Sequence, residues 1–266
     1  MRLDVYLVEK GFFPSRSAAQ TAISGAHVVL DGKKADKASF KVDESLDHTV
    51  RILDSCPYVS RGGLKLEHAL ALFRLDPEGK TCLDIGASTG GFTDCLLKKG
   101  AKYVYAVDVG SNQLNEKIRN DTRVSVREKY NARYMKKDDF DSPVQWAVMD
   151  VSFISQTLLL GPVYDVLEDS GILVTLIKPQ FEVGKNRIGN NGIVTEPDFR
   201  LEAVSTVQKT ACQLGFSVIG LGISPIPGGD GNIEYLLALQ KSSAGRFAPE
   251  TVLRELVYEN QEVPLI

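Results

Sequence analysis

Histidine and cysteine are scarce in this chain of 266 residues, and their scarcity removes several chemistries at once. The three histidines (His27, His48, His68) and four cysteines (Cys56, Cys82, Cys95, Cys212) are scattered, with no C-x-x-C pair and no metal-ligand spacing. No structural metal is expected, and the thiols read as reduced. No apolar run approaches the roughly 18 residues of a bilayer span. The start, Met1-Arg2-Leu3-Asp4, lacks the apolar stretch of a secretory signal, so a cytoplasmic location is expected. Strong charge is also missing. A formal net charge of −3 argues against a protein that coats nucleic acid non-specifically, although it leaves room for a local basic patch. Residues 1–80 hold 12 Lys and Arg against 11 Asp and Glu, and the remainder 19 against 23, so the acidity lies in the C-terminal part.

Two absences sharpen the most informative segment, Thr81-Cys-Leu-Asp-Ile-Gly-Ala-Ser-Thr-Gly-Gly-Phe92. An apolar strand runs into a glycine turn, and a second apolar run ends in Asp108, 22 residues beyond Gly86. That is how a Rossmann-type sheet holds an adenosine-containing cofactor. A dinucleotide fingerprint needs a glycine at the second conserved turn position, where backbone approaches pyrophosphate, and Ser88 stands there instead. No Walker lysine with its Ser/Thr follows, which argues against nucleoside triphosphate hydrolysis. S-adenosylmethionine carries no phosphate. It needs backbone donors for a carboxylate, an acceptor for an ammonium and a carboxylate for two ribose hydroxyls. The turn residues Gly86, Ser88, Gly90 and Gly91, with Asp84 and Asp108, offer these groups. Asn131 is a further candidate, for the adenine edge or as an ordinary turn residue; Phe92 lies near the cofactor or belongs to the core. Trp146 reads as core.

With 43% apolar and 24% charged residues, the composition is that of a globular protein, long enough for one large domain and a small one. Residues 1–54 read as the small one. Leu3, Tyr6 and Leu7 have helical spacing closed by Gly11 and Pro14, and Ser15 caps a second helix through Ile23. Val28–Leu30 is a strand, Asp31-Gly32 a hairpin turn with Lys33 and Lys34 at its tip, and 50–53 a closing strand. This unit resembles the RNA-binding module named after ribosomal protein S-four, on Arg2-Leu3-Asp4, Ser15-Arg16, Ala19, Ile23, Gly25 and Val28 to Gly32. The resemblance implies an RNA face. Arg2, Arg16, Lys33 and Lys34 would supply salt-dependent phosphate contacts there.

Residues 55–60, with Pro57, read as a linker, and a helix follows from Arg61-Gly62-Gly63. Strands at 81–85, 103–108, 123–127, 144–150 and 171–177 then alternate with helices near 91–99, 113–119 and 155–167, the rhythm of a doubly wound sheet. A polar loop from Gly184 to Thr195, carrying Lys185 and Arg187, reads as a surface loop and as a lid over RNA. Pro197 opens a helix to about Leu214. Strands at 216–224 and 233–240 form an antiparallel hairpin, and 249–259 a last helix.

A doubly wound sheet places its site at the C-terminal ends of its strands. Asp150 and Lys178 end two of them, Glu234 opens the last strand, and Lys65 lies on the helix before the domain. On these four residues the chain resembles the FtsJ-like 2′-O-ribose methyltransferases, and within them the TlyA type, which is also labelled haemolysin. The matching blocks are Val59 to Leu66, Asp150 to Ser155, Lys178-Pro-Gln-Phe-Glu182 and Gly231-Asn-Ile-Glu234. The resemblance implies a seven-stranded α/β sheet with an antiparallel last strand over 61–241, a tail over 242–266, S-adenosylmethionine as cofactor and rRNA cytidine as substrate. It also implies Lys65, Asp150, Lys178 and Glu234 as the catalytic tetrad. Arg61 is counted with the RNA-binding residues. Lys178 would meet the 2′-oxygen, orienting a lone pair or taking the proton. The Asn/Asp-Pro-Pro-Tyr/Phe motif of many base methyltransferases is absent; Asp150-Val-Ser-Phe153 stands in its place. A non-catalytic ribosome-assembly factor and a membrane-active haemolysin are the alternatives, and a monomer is favoured.

Overall fold

The computed structural model describes residues 1–25, 27–52, 56–189, 191–228, 231–242 and 244–262. It divides into two compact units, Met1–Pro57 and Tyr58–Ile266. Leu53 and the expected 54/55 boundary lie outside the described residues.

In the smaller unit, helices α1 (Leu3–Glu9) and α2 (Arg16–Ser24) pack with a three-stranded antiparallel sheet of β1 (Val28–Leu30), β2 (Lys33–Lys34) and β3 (Val50–Ile52), ordered β2-β1-β3. Leu3, Leu7, Ala19, Ile23 and Val28 form its core. Ser15 Oγ accepts from the Ala18 N–H, the expected cap. Only Asp31 (φ 50°) and Gly32 (φ 77°) make the hairpin turn, both left-handed as a two-residue turn requires. Lys33 and Lys34 therefore pair with Leu30 and Val29 as a strand, where the sequence reading had them at the tip.

The larger unit carries α3 (Gly62–Leu72), β4 (Thr81–Ile85), α4 (Gly91–Lys98), β5 (Tyr103–Val107), α5 (Glu116–Arg119), β6 (Val124–Arg127), β7 (Val144–Met149), α6 (Thr157–Val166), β8 (Leu167–Ile177), α7 (Pro197–Leu214), β9 (Phe216–Ile223), β10 (Tyr235–Lys241) and α8 (Glu250–Tyr258). The seven strands lie in the order β6-β5-β4-β7-β8-β10-β9. Strands β4 to β8 pair in parallel, and β10 runs antiparallel to both β8 and β9. Strand order reverses between β4 and β7, which opens a crevice at their C-terminal ends. Central strands β4, β7 and β8 are buried throughout, at all but Gln145, and from Gly171 to Ile177 respectively, the pattern of strands covered on both faces.

Three element limits differ from the sequence reading for local reasons. The Asn115 side chain accepts from the Lys117 N–H and starts α5 three residues later than expected. β8 begins directly after α6, at Leu167, and crosses a left-handed Ser170 (φ 63°) before its buried run. Tyr58 to Ser60, expected in the linker, belong to the larger unit: Val59 N–H donates to Asp94 Oδ2, and Tyr58 is buried against Gly63, where a Cβ would come within 2.2 Å of its ring. Helix α8, in the expected tail, contributes Leu253, Leu256 and Val257 to the main core.

Candidate active site

The crevice begins with the turn after β4. Gly86 (φ 81°), Ser88 (φ 48°) and Gly90 (φ 93°) all take left-handed conformations, and the Gly86 and Ala87 amides bond back to the Val107 carbonyl. A Cβ at Gly86 would lie 2.8 Å from the Asp150 carbonyl oxygen, so the ends of β4 and β7 meet this closely only without a side chain. Gly91 plays the same part between helices. A Cβ there would stand 2.2 Å from Ser60 Oγ and 2.9 Å from the Gly63 nitrogen. The small residues let α3 cross close to the head of α4, which brings Lys65 over the turn.

Lys65 is buried, and its Nζ donates to Glu234 Oε2 at 2.5 Å; Glu234 is only 2% exposed. Strand β10 delivers Glu234 because it runs opposite to its neighbours, so its beginning lies where the parallel strands end. Lys178, the residue after β8, donates to Ser152 Oγ at 3.0 Å, and its Nζ lies 2.5 Å from Asp150 Oδ1. The latter approach is off the line of a hydrogen bond, so it is an ion pair. All four expected tetrad residues thus meet at one end of the sheet, as two lysine–carboxylate pairs. A buried polar bridge ties the head of α6 to β8 behind them: Thr175 Oγ1 donates to Gln156 Oε1 at 2.7 Å, and the Gln156 side-chain amide donates to the Leu176 carbonyl. Glu182 accepts from Ser155 Oγ at 2.6 Å and from the Gln156 N–H at 2.9 Å; burial raises its pKa despite those bonds.

Two adjoining cavities line the crevice. One, of about 290 Å³, is walled by Arg61, Lys65, Gly91, Phe92, Lys178 and Pro227 among others. The other, of about 360 Å³, is walled by Val107, Asp108, Gln113, Asn131, Phe153 and Leu159 among others. They share Gly86, Ser88, Asp150 and Ser152. Asp108 Oδ2 accepts from the Ser88 N–H at 2.8 Å and Oδ1 from the Gly110 N–H at 2.7 Å, which ties the second acidic position to the glycine turn. Asn131 lines the second cavity, and its Oδ1 also caps a short 3-10 turn by accepting from the Arg133 N–H.

Asp84 departs from the sequence reading. It is 1% exposed, belongs to neither cavity wall, and accepts from Thr93 Oγ1 at 2.6 Å near the start of α4. One oxygen braces the turn through Thr93, and the other, Oδ1, is buried with no hydrogen-bond partner among the described residues. Burial first, opposed by its Thr93 bonds, pushes its pKa up to about 7. Because this folded-state value exceeds the ordinary carboxylate value, the group favours folding below about pH 4 and this contribution is lost as pH rises to about 7. Asp84→Asn keeps the acceptor and cannot ionise. The midpoint of thermal unfolding of the variant relative to the parent is therefore expected to rise by a few degrees between pH 5 and 8. A gap between the two proteins that does not change with pH would contradict this role.

The RNA candidates fare differently. Arg2 and Arg16 both bond the fully buried Asp4 carboxylate, which also accepts from Gln20 Nε2 at 2.6 Å. The Arg2 guanidinium, the largest cause, holds the Asp4 carboxyl well below the usual range. Both arginines therefore brace the fold while remaining partly exposed. Lys33 and Lys34 are exposed on β2. Arg61 faces the first cavity. Lys185 and Arg187 form a 3-10 turn, with Arg187 paired to Glu202 and stacked over Phe199. The buried Asn232 ties down the following loop, accepting from the Val194 N–H and donating to the Gly192 carbonyl, both at 2.9 Å. Asn190 is outside the described residues.

Sequence reasoning assigned no role to Ser152, Gln113 or Phe153. Phe153 is 92% exposed in a left-handed conformation (φ 64°), its ring 5.2 Å from that of Phe181. An aromatic three residues past a strand-end aspartate was the available signal. Among the described residues, no cluster of His, Cys, Asp and Glu could hold a metal, and no helix is long and apolar enough to cross a membrane.

Comparison with known proteins agrees with this geometry. The FtsJ-like methyltransferase family matches residues 58–241, and the S4 domain matches residues 1–47. A 16S/23S rRNA (cytidine-2'-O)-methyltransferase TlyA of Mycobacterium tuberculosis is 41% identical, over 90% of this chain and 89% of that protein. Hemolysin A of Brachyspira hyodysenteriae is 43% identical, over 89% of this chain and 98% of that protein. A solved Streptococcus thermophilus structure with a provisional hemolysin name is 45% identical, with a TM-score of 0.78, covering 97% of this chain and 94% of that one. With a glycine-turn crevice, a paired lysine–carboxylate tetrad and these matches, the chain belongs to the FtsJ-like methyltransferase family and carries an S4 domain ahead of its methyltransferase domain.

Proposed function

We propose that this protein transfers a methyl group from S-adenosylmethionine to the 2′-hydroxyl of a cytidine in rRNA. The observation that carries the reading is the meeting of two unlike walls at Gly86 and Asp150. A glycine turn with Asp108 lies on one side, and two lysine–carboxylate pairs lie on the other. The cofactor fits the first wall: the short residues Gly86, Ala87, Ser88, Thr89 and Gly91 line the cavity and would offer backbone donors to its carboxylate. Asp108 would accept from the ribose hydroxyls, and Asn131 would bond the adenine edge through Nδ2. When bound, the cofactor supplies a methyl group activated by its sulfonium. The protein's own groups do the rest. Lys178 holds the 2′-oxygen with a lone pair toward that methyl and relays the hydroxyl proton to the Asp150 carboxylate paired with it, Ser152 fixes the Lys178 ammonium, and the Lys65–Glu234 pair walls the acceptor side.

The relatives' names and the S4 domain support rRNA as the acceptor, in the compartment where ribosomes are made. Arg2, Arg16, Lys33 and Lys34 of the smaller unit, with Arg61 and Lys185, would contact phosphate, and Arg187 through the donors that Glu202 leaves open. The test is transfer from labelled S-adenosylmethionine to separated ribosomal subunits and naked rRNA, followed by mapping of alkali-resistant linkages. Label at a cytidine ribose is expected. Label in a base, or none in any RNA, would overturn the reading.

A further inference from the structure

A third cavity, of about 370 Å³, adjoins the tetrad on the side away from the glycine turn. Lys178 and Glu234 form one wall, Phe153 and Phe181 another, and Gln180 a third. Gln180 Oε1 is buried with no hydrogen-bond partner among the described residues. Buried side-chain carbonyls are seldom left so, because an unmade bond forfeits the full cost of desolvation. The neighbouring Glu182 uses both of its oxygens on the α6 head, so the acceptor of Gln180 is not absorbed by that bridge.

We propose that Gln180 is the residue that reads the acceptor base, pairing with the Watson–Crick edge of a cytosine. The inference rests on the ribose-methylation reading above and deepens it. A nucleotide whose 2′-oxygen lies at Lys178 carries its base on the adjacent ribose carbon, so the base must enter a space bordered by Lys178. The second cavity, along Asp108 and Asn131, belongs to the cofactor, the first joins the glycine turn to the tetrad where the methyl passes, and the third is the space beyond Lys178. In it the aromatic rings suit a flat base, and Gln180 offers one acceptor and two donors side by side. Cytosine presents the matching pattern: its N4 amino group donates to Oε1, and its N3 accepts from Nε2. Recognition of this edge by an amide needs no charge, so it adds selectivity without the salt dependence of phosphate contacts.

The test uses ribosomal particles carrying cytidine or uridine at the mapped acceptor position, with the full-length protein. Gln180→Leu is expected to lower kcat/KM on cytidine particles about ten- to hundredfold, the scale of a lost two-bond base contact. The dissociation constant for S-adenosylmethionine should stay within about twofold, which excludes general misfolding. Gln180→Glu keeps an acceptor for the N4 amino group but has no donor for N3. It should recover only part of the activity on cytidine, with a cytidine-to-uridine ratio below that of the parent. Gln180→Leu should collapse that ratio. Ribose label that is insensitive to Gln180, or a base preference equal in all three proteins, would overturn this assignment alone. Absence of ribose label with the parent protein would remove the reading on which it rests.

Discussion

Lys178→Met is expected to lower the single-turnover rate of methyl transfer by about 10²–10⁴-fold, the range for loss of a positioned proton-handling group. The dissociation constant for S-adenosylmethionine should remain within about threefold. Methionine keeps the stem that fills the space beyond β8 and removes only the ammonium that donates to Ser152 and pairs with Asp150. Lys178 is the cleaner of the two lysines to test. The side chain of its partner Asp150 is 21% exposed and can be reached by water when the pair is broken, whereas Glu234 is buried. Lys65→Met would leave that carboxylate buried and unpaired, a change that costs about 3–5 kcal/mol in comparable sites and confounds catalysis with stability. Rapid-quench measurement with saturating cofactor and RNA separates the chemical step from binding. A rate within tenfold of the parent would remove Lys178 from the reacting centre.

Gly86→Ala is expected to weaken S-adenosylmethionine binding at least about tenfold and to lower the unfolding midpoint by several degrees. Two costs combine. A side chain in the left-handed region at φ 81° is strained by about 1–2 kcal/mol. The added Cβ would also stand 2.8 Å from a backbone oxygen, that of Asp150, and 3.1 Å from Val151 Cγ1. Backbone cannot swing aside as a side chain can, so β4 and β7 must part where the two cavities join. Gly79→Ala is the matched control. Its φ of 69° carries a similar strain, but nothing lies within 4 Å of the new atom. Calorimetric titration and thermal unfolding of both variants decide the matter: equal losses would assign the effect to strain and leave the strand junction without a role.

The features legible in the sequence were those written locally. The alternation of apolar runs with helical segments located every strand of the large sheet to within a few residues, and the turn chemistry of Asp31-Gly32 located the small hairpin. Asp150, Lys178 and Glu234 were legible because strand ends can be read and a doubly wound sheet gathers its strand ends on one edge, whereas Lys65, on a helix, joined them as a tetrad through the family resemblance. What the sequence did not disclose was depth. Asp84 looks like a ligand-facing carboxylate, yet it closes on Thr93 beneath the turn. Arg2 and Arg16 look like phosphate contacts, yet both converge on Asp4, a partner 12 residues from Arg16 whose burial no spacing rule reveals. Gln180 lay inside a quoted block and drew no notice, because an unmet acceptor shows only once its surroundings are known.

The bond between Lys65 and Glu234 joins residues 169 apart in the chain. Contacts of such separation need a large loop to close before they repay it, so they belong to the late stages of folding. Strands β4 to β7 contain the glycine turn, Asp108 and Asp150, and depend far less on distant sequence. A molecule whose β9–β10 hairpin has come away from β8 would therefore keep most of the cofactor side yet lack Glu234 and the partner of Lys65. The Lys65–Glu234 pair is in this way confined to chains whose β9–β10 hairpin has docked on β8.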